Sequence, residues 1–289
     1  MTRYTGRFAP SPTGPLHLGS LFAAVISYVD AKANQGSWLV RIEDLDPPRE
    51  ANGATQQILS SLEAHSLRSD QDIVFQSQRY SLYESALAKL DSQQQLYRCP
   101  CSRKELQENN GRHTPACQQG MLGDQDFALR FRAEQKTMEW LDRFQGPMSM
   151  RIRDDAVLKR KDGLYAYQLA VVVDDIAQNI SHVVRGVDLI DSTPVQLCLY
   201  EALKAKPPSF AHFPVIEGKN GQKLSKQNLA KPLEDNAAVD NLRTIGLLMG
   251  QDMPDSCRTT SDMLAYLIDT YNVDRLKNSN NMTAPPPYT

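Results

Sequence analysis

The chain has 289 residues, with 32 Lys plus Arg against 34 Asp plus Glu, for a formal net charge of −2. It is 41% hydrophobic, with a mean hydropathy of −0.46 and an isoelectric point near 6.2. These values exclude a membrane-embedded, collagen-like or wholly disordered chain and a globally basic nucleic-acid binder, while leaving room for a local basic face.

Residues 3–9 read as a short strand running into a loop that Pro10, Pro12 and Pro15 keep out of helix. From about Ser20, apolar Leu21, Val25, Tyr28 and Val29 recur at helical spacing up to Gly36. Trp38–Ile42 then reads as a buried strand of a parallel sheet, which completes a βαβ unit. Residues 50–66 and 77–95 read as helices, and 96–120 break the pattern with Cys, Pro and Gly. Ala128–Arg132 alternates like a strand, and Val157–Arg160 and Leu164–Tyr167 flank Lys161-Asp162-Gly163 as a hairpin. After the apolar run 168–173, His182–Arg185 reads as a strand. Asp191–Lys204 reads as a helix capped by Ser192 or Thr193 with Pro194 early in it, and His212–Ile216 as the last strand. Residues 235–275 suggest short helices, and the Pro- and Asn-rich tail from Asn278 suggests disorder. This order predicts an α/β fold, a parallel sheet split by an inserted module and followed by a small helical segment.

The start of the chain has no apolar signal core and no stretch approaches the roughly 20 apolar residues of a membrane span. A cytoplasmic location is expected, and in a reducing compartment five cysteines read as thiols rather than disulfides. Cys99-x-Cys101 followed by His113-x3-Cys117 supplies three thiolates and an imidazole, the donor set of a closed, structural Zn²⁺ site. The intervening polar segment gives a metal staple a physical purpose. Cys198 lies in an apolar helix and reads as core, and Cys257 has no assignment.

Between the first strand and helix lies Ala9-Pro10-Ser11-Pro12-Thr13-Gly14-Pro15-Leu16-His17-Leu18-Gly19-Ser20. A helix N-terminus offers unpaired N–H groups to a triphosphate, Gly19 leaves no side chain in the way, and His17 can donate to a phosphate oxygen. Gly14 and Gly19 have Walker A spacing, but Ser20 stands where that motif needs Lys, and no GxGxxG is present. The string resembles the HIGH signature of class I aminoacyl-tRNA synthetases in its glutamyl and glutaminyl form. Three further blocks resemble that family in order: Arg41-Ile42-Glu43-Asp44-Leu45-Asp46, then Tyr167–Asp175 with Val184-Arg185-Gly186-Val187-Asp188, then Lys223-Leu224-Ser225-Lys226-Gln227.

The resemblance implies a Rossmann-like sheet with helices on both faces: a catalytic domain in two halves, 1–95 and 161–232, a zinc-bearing α+β insert at 96–160, and a helical segment at 233–289. It implies L-glutamate and ATP, with Mg²⁺, as substrates. Guanidinium binds carboxylate bidentately, so Arg7 and Arg185 suit the two carboxylates of glutamate. Glu43 suits the ammonium, with Ser11, the Ala9 backbone and Tyr167 as helpers, and the family's glutamate contacts fall on these positions. His17, Gly19, Lys223 and Lys226 are the ATP residues, the lysines neutralising charge as pyrophosphate leaves.

Only residues 228–289 follow the last block, fewer than the roughly 100 that an anticodon-reading domain needs. With the KLSKQ form and the cysteine cluster, this resembles the glutamyl-Q branch of the family, monomeric short paralogues of glutamyl-tRNA synthetase. That branch implies transfer of glutamate to queuosine in the anticodon stem-loop of tRNA(Asp). A short enzyme charging tRNA(Glu), an inactive RNA-binding paralogue and a nucleotidylyltransferase stay open. Arg112, Arg130, Arg132, Lys159, Arg160 and Lys161 are candidate backbone contacts, although a charge run is usually a solvated face.

Overall fold

The computed structural model describes residues 4–110, 113–114, 117, 126–133, 135–218, 223–224, 231–286 and 288. Arg112 and Lys226 therefore lie outside the described residues, as do Ser225 and Gln227.

β1 (Thr5–Phe8), α1 (Leu18–Ala33) and β2 (Ser37–Ile42) form the expected βαβ unit. The strands are parallel, in register from Thr5↔Ser37 to Phe8↔Val40. Gly36 makes their connection possible, because a Cβ there would stand 2.6 Å from the backbone oxygen of Tyr4. α2 (Ala54–Ala64) then leads to β3 (Val74–Phe75), which extends the sheet beside β2 in parallel. α3 (Tyr80–Ser92) closes this first half.

β4 (Leu96–Cys99), the short α4 (Arg103–Glu108), β5 (Ala128–Phe131), the hairpin of β6 (Thr137–Asp142) and β7 (Gly146–Arg151), and β8 (Val157–Lys159) follow. β4, β5 and β8 form an antiparallel sheet, and β6 and β7 a second one. The anticipated hairpin over 157–167 shrinks to one bridge, Lys159↔Tyr165, because Tyr167 already opens α5 (Tyr167–Ala177). β9 (His182–Gly186), α6 (Thr193–Ala202) and β10 (Ser209–Phe213) form the second parallel unit. Ser181 N–H donates to Thr5 C=O at 3.0 Å, fastening the start of β9 beside β1. Ser192 is the N-cap residue of α6 by position, with no capping bond from its side chain.

β11 (Val215–Glu217), α7 (Ala238–Met249), α8 (Thr260–Asp269) and β12 (Asn281–Thr283) complete the chain. The tail corrects the expectation of disorder. Asn281–Thr283 pairs in parallel with Val215–Glu217, and the Tyr288 hydroxyl donates to the Asn241 amide. Backbone pairing and one anchored ring order a segment whose composition argues against order.

Side-chain alternation along the strands divides the interior in two. Phe8, Trp38, Val40 and Ile42 face one core with Leu21, Phe22 and Val25 of α1, Leu242 and Ile245 of α7 and Leu267 of α8. Leu39 faces the other core, which joins Tyr83, Leu87 and Leu90 of α3 to Phe131, Leu158, Val171, Leu199 and Phe210. The inserted strands thus share a core with α3, α5 and α6, and the last helices share one with α1. Arg7 and Arg41 alternate with the apolar positions of β1 and β2, so both reach the α5 side of the sheet.

Candidate active site

The candidate residues gather beyond the carboxyl ends of β1, β2 and β9, where open parallel sheets place their ligands. Two buried aspartates at the end of α5 organise the cluster. Asp175 meets Arg7 Nε at 3.2 Å and Arg41 Nη1 at 2.8 Å. Asp174 accepts from Gln76 at 2.7 Å, the Tyr83 hydroxyl at 2.8 Å and Arg79 Nε at 2.5 Å. Burial pushes the Asp175 carboxyl up, but Arg7 and Arg41 hold it below the usual carboxylate range. Arg41 is fully buried, so it serves as internal counter-charge.

Glu43 sits just past β2, its amide donating to Pro10 C=O at 3.0 Å. Its Oε1 is buried without a hydrogen-bond partner, and the nearest cation, Arg41 Nη2, is 3.8 Å away. Burial pushes its carboxyl up to about 7, with Arg41 and Arg7 opposing and the two aspartates adding to the rise. Such a group welcomes a cationic ligand.

Arg185, at the end of β9, is 5% exposed. It donates to Gln196 Oε1 at 2.8 Å, Thr193 Oγ1 at 2.9 Å, His212 Nε2 at 3.0 Å and the Tyr167 hydroxyl at 3.2 Å. Every one of these partners is neutral, and no carboxylate pairs with it among the described residues. Desolvation lowers its pKa, and the charge of Arg7 acts in the same direction. A buried cation left in this state favours an incoming anion. The Arg185 partner Tyr167 lines a cavity of about 610 Å³, as do Ser11 and Glu43. Residues of the insert, among them Arg130 and Arg160, line it as well, as does Lys161 just beyond the insert.

His17 is the N-cap of α1. Its Nδ1 accepts from Gly19 N–H at 3.1 Å and Ser20 N–H at 3.3 Å, while the Ser20 hydroxyl accepts from the His17 amide. Two amides expected to face phosphate are thus engaged by the imidazole itself. In exchange the Nδ1 contacts fix the proton on Nε2, which becomes the donor. A Cβ on Gly19 would lie 3.1 Å from the His17 ring and 3.4 Å from Leu224 C=O, so the last motif does return to the first. Lys223 Nζ pairs with Asp188 at 2.5 Å.

Cys99, Cys101, His113 and Cys117 converge, their ligand atoms all within 4.8 Å of one another. Cys99 Sγ and Cys117 Sγ lie 3.4 and 3.7 Å from His113 Nδ1, close to the separations of about 3.3–3.8 Å across a tetrahedral zinc site. His113 Nε2 meets the Tyr97 hydroxyl at 3.2 Å, which donates to Asp155 at 2.9 Å. That chain places the proton on Nε2 and turns the Nδ1 lone pair toward the thiols. Burial and the neighbouring Cys99 push the Cys117 thiol up to about 12, a cost that a bound cation reverses. The donor set therefore fits a metal.

Of the expected glutamate residues, Ser11, Glu43 and Tyr167 line the cavity, Arg185 lies behind Tyr167, and Arg7 pairs with Asp175. Sequence reasoning missed the supporting role of Arg41 and the aspartates. The signal was a pair of acids inside an apolar helix, which burial obliges to find cations. The basic candidates are engaged within the chain: Lys159 with Glu84, Arg160 with Asp46 and Asp162, Lys161 with Pro100 C=O, Arg130 with Asp155 C=O and Arg132 over the Tyr97 ring. Cys198 is core, with its Sγ 3.4 Å from Met138 Sδ. Cys257 is buried in the core around α1.

The family described as tRNA synthetases class I (E and Q), catalytic domain, matches residues 4–245. A glutamyl-Q tRNA(Asp) synthetase of Idiomarina loihiensis is 48% identical over 244 residues, covering 83% of this chain and 86% of the relative. One of Vibrio cholerae is 42% identical over 286 residues, covering 97% and 94%. The crystal structure of a glutamate-tRNA synthetase from Elizabethkingia anophelis superposes with a TM-score of 0.78 at 22% identity, covering 98% of this chain and 68% of that one. It shows the shared class I synthetase fold. No described helix is long and apolar enough to cross a membrane.

Proposed function

The chain belongs to the glutamyl-Q tRNA(Asp) synthetase family of class I tRNA synthetases, which are ligases, and from that premise we propose that it activates L-glutamate with ATP without tRNA and transfers it to queuosine in the anticodon stem-loop of tRNA(Asp). Arg7 and Arg185 receive the two carboxylates of glutamate, and Glu43 its ammonium. Ser11, the Ala9 backbone and Tyr167 complete the pocket. The glutamate α-carboxylate attacks the α-phosphorus of ATP, and pyrophosphate leaves. The protein supplies position and charge rather than a nucleophile. His17 Nε2–H, Lys223 and Lys226 serve the phosphates, and Gly19, lacking a side chain, leaves room for the His17 ring and the approach of Leu224. A hydroxyl of the queuosine cyclopentenediol then attacks the adenylate carbonyl, forming an ester and releasing AMP.

The observation that supports this reading is Arg185, a buried guanidinium with only neutral partners, one of which, Tyr167, lines the same cavity as Glu43. A ligand bearing both carboxylate and ammonium groups satisfies both sites at once. Cys99, Cys101, His113 and Cys117 would hold one Zn²⁺ that staples the insert forming the far wall. Exchange of labelled pyrophosphate into ATP, without tRNA, tests the activation step. Exchange that requires glutamate and is not supported by glutamine agrees with the proposal. Exchange independent of the amino acid, or absent until tRNA(Glu) is added, opposes it.

A further inference from the structure

Behind Arg185, on the side away from the cavity, lies a buried acid–imidazole pair that the reaction does not touch. His212 is completely buried and Asp142 is 1% exposed. Asp142, at the end of β6, uses Oδ1 to accept from the amides of Phe144, Gln145 and His212, each at 3.0 Å. Its Oδ2 lies 2.5 Å from His212 Nδ1. On the other ring edge, Arg185 Nε–H donates to His212 Nε2 at 3.0 Å. An arginine has no acceptor, so His212 Nε2 must be the unprotonated nitrogen, and the single ring proton sits on Nδ1, facing Asp142. Thr193 fits the same polarity: its Oγ1 accepts from Arg185 Nη2 and stands 3.2 Å from Nε2.

We infer that Asp142 and His212 are positioning residues for glutamate recognition: Asp142 fixes the His212 tautomer, and that tautomer aims the Arg185 guanidinium at the substrate carboxylate. The inference rests on the glutamate reading above. The β6–β7 hairpin thereby acquires a part in amino-acid binding although it touches no substrate. Burial and the Arg185 charge keep the imidazole neutral, consistent with one proton shared out along the row.

The relay makes an isosteric substitution informative. In Asp142→Asn the retained oxygen can still accept the three amides, while the new NH₂ faces His212 Nδ1. The ring must then accept at Nδ1 and carry its proton on Nε2, directly against Arg185 Nε–H. His212→Gln, in contrast, offers an amide oxygen near the old Nε2 whatever occupies position 142. Glutamate-dependent pyrophosphate exchange should therefore show KM for glutamate rising about ten- to a hundredfold in D142N, the range of a hydrogen bond to a charged group, with KM for ATP changing less than about twofold. H212Q should lose only a few-fold, and D142N/H212Q should return to the H212Q value, a non-additivity that signals direct coupling.

A purely structural role for Asp142 predicts otherwise. D142N would then leave KM for glutamate unchanged, or would impair ATP and glutamate alike without relief from H212Q, and either result overturns the relay. If D142N does not fold, H212N replaces it, since Asn is too short to reach Arg185. A tenfold greater KM in H212N than in H212Q supports the relay, and equal values overturn it. Absence of exchange in the unmutated protein overturns the glutamate reading and the relay together. Exchange there with a silent D142N overturns the relay alone.

Discussion

Glu43 and the arginines around it divide one electrostatic task between binding and support. Glu43 is held near 7 by burial, so it carries its charge above that pH and loses it below. Because the ammonium of glutamate needs the charged form, kcat/KM for glutamate should fall about tenfold per pH unit below about 7. Pyrophosphate exchange at graded pH checks this, and a profile flat to about pH 5.5 contradicts the assignment. Arg185→Ala should raise KM for glutamate at least about a hundredfold and lower the melting temperature less than Arg41→Ala, because it orphans neutral acceptors but strips no counter-charge from a buried acid. Arg41→Ala should instead destabilise by about 3–5 kcal/mol, since it strips a counter-charge from buried Asp175. Paired thermal melts and exchange assays separate the two. Sequence reading could name Arg7, Glu43 and Arg185 because their charges suit the carboxylates and ammonium of an amino acid and they lie in family-like blocks. Arg41 lay in the same motif, yet only the packing against α5 shows that it faces inward.

Elements with strong patterning were legible: α1 and α3 carry apolar stripes, and β2 is a largely apolar run, broken by Arg41, that two cores bury. β4 escaped because Cys99 and Pro100 broke the pattern one residue after Arg98. The β6–β7 hairpin escaped because its turn is marked by Gly146 alone, at φ +78°, without an Asn-Gly or Asp-Gly pair, and Asp142 holds it through side-chain bonds. β12 escaped because a parallel partner distant in sequence leaves no local mark. Deleting residues 281–289 should lower the melting temperature by several degrees and raise KM for ATP, since β11 loses its neighbour just before Lys223. Unchanged values would show that β12 adds nothing to the ATP loop. At the insert, Cys99→Ser should drop bound zinc well below one per chain and increase proteolysis between β4 and β5, with glutamate-independent ATP binding retained. Full zinc content in that variant contradicts the four-ligand site.

Across the whole molecule, two shared cores weld the insert and the last helices to the parallel strands, so the cavity is walled by Ser11, Glu43 and Tyr167 together with residues of the insert. The fold class was legible from the order of β and α elements. The wall was not, because it depends on strands brought together from 96–99, 128–131 and 157–159. With a net charge of only −2, attraction to tRNA must come from local basic positions. Transfer to tRNA should therefore weaken steeply as salt rises, whereas tRNA-free pyrophosphate exchange should hardly change. Parallel salt series measure both, and equal sensitivity contradicts backbone binding. The most direct measurement is incorporation of labelled glutamate into purified tRNA(Asp), prepared with and without queuosine, beside tRNA(Glu). The account predicts incorporation into queuosine-bearing tRNA(Asp) alone; labelling of tRNA(Glu), or of tRNA(Asp) regardless of queuosine, contradicts it.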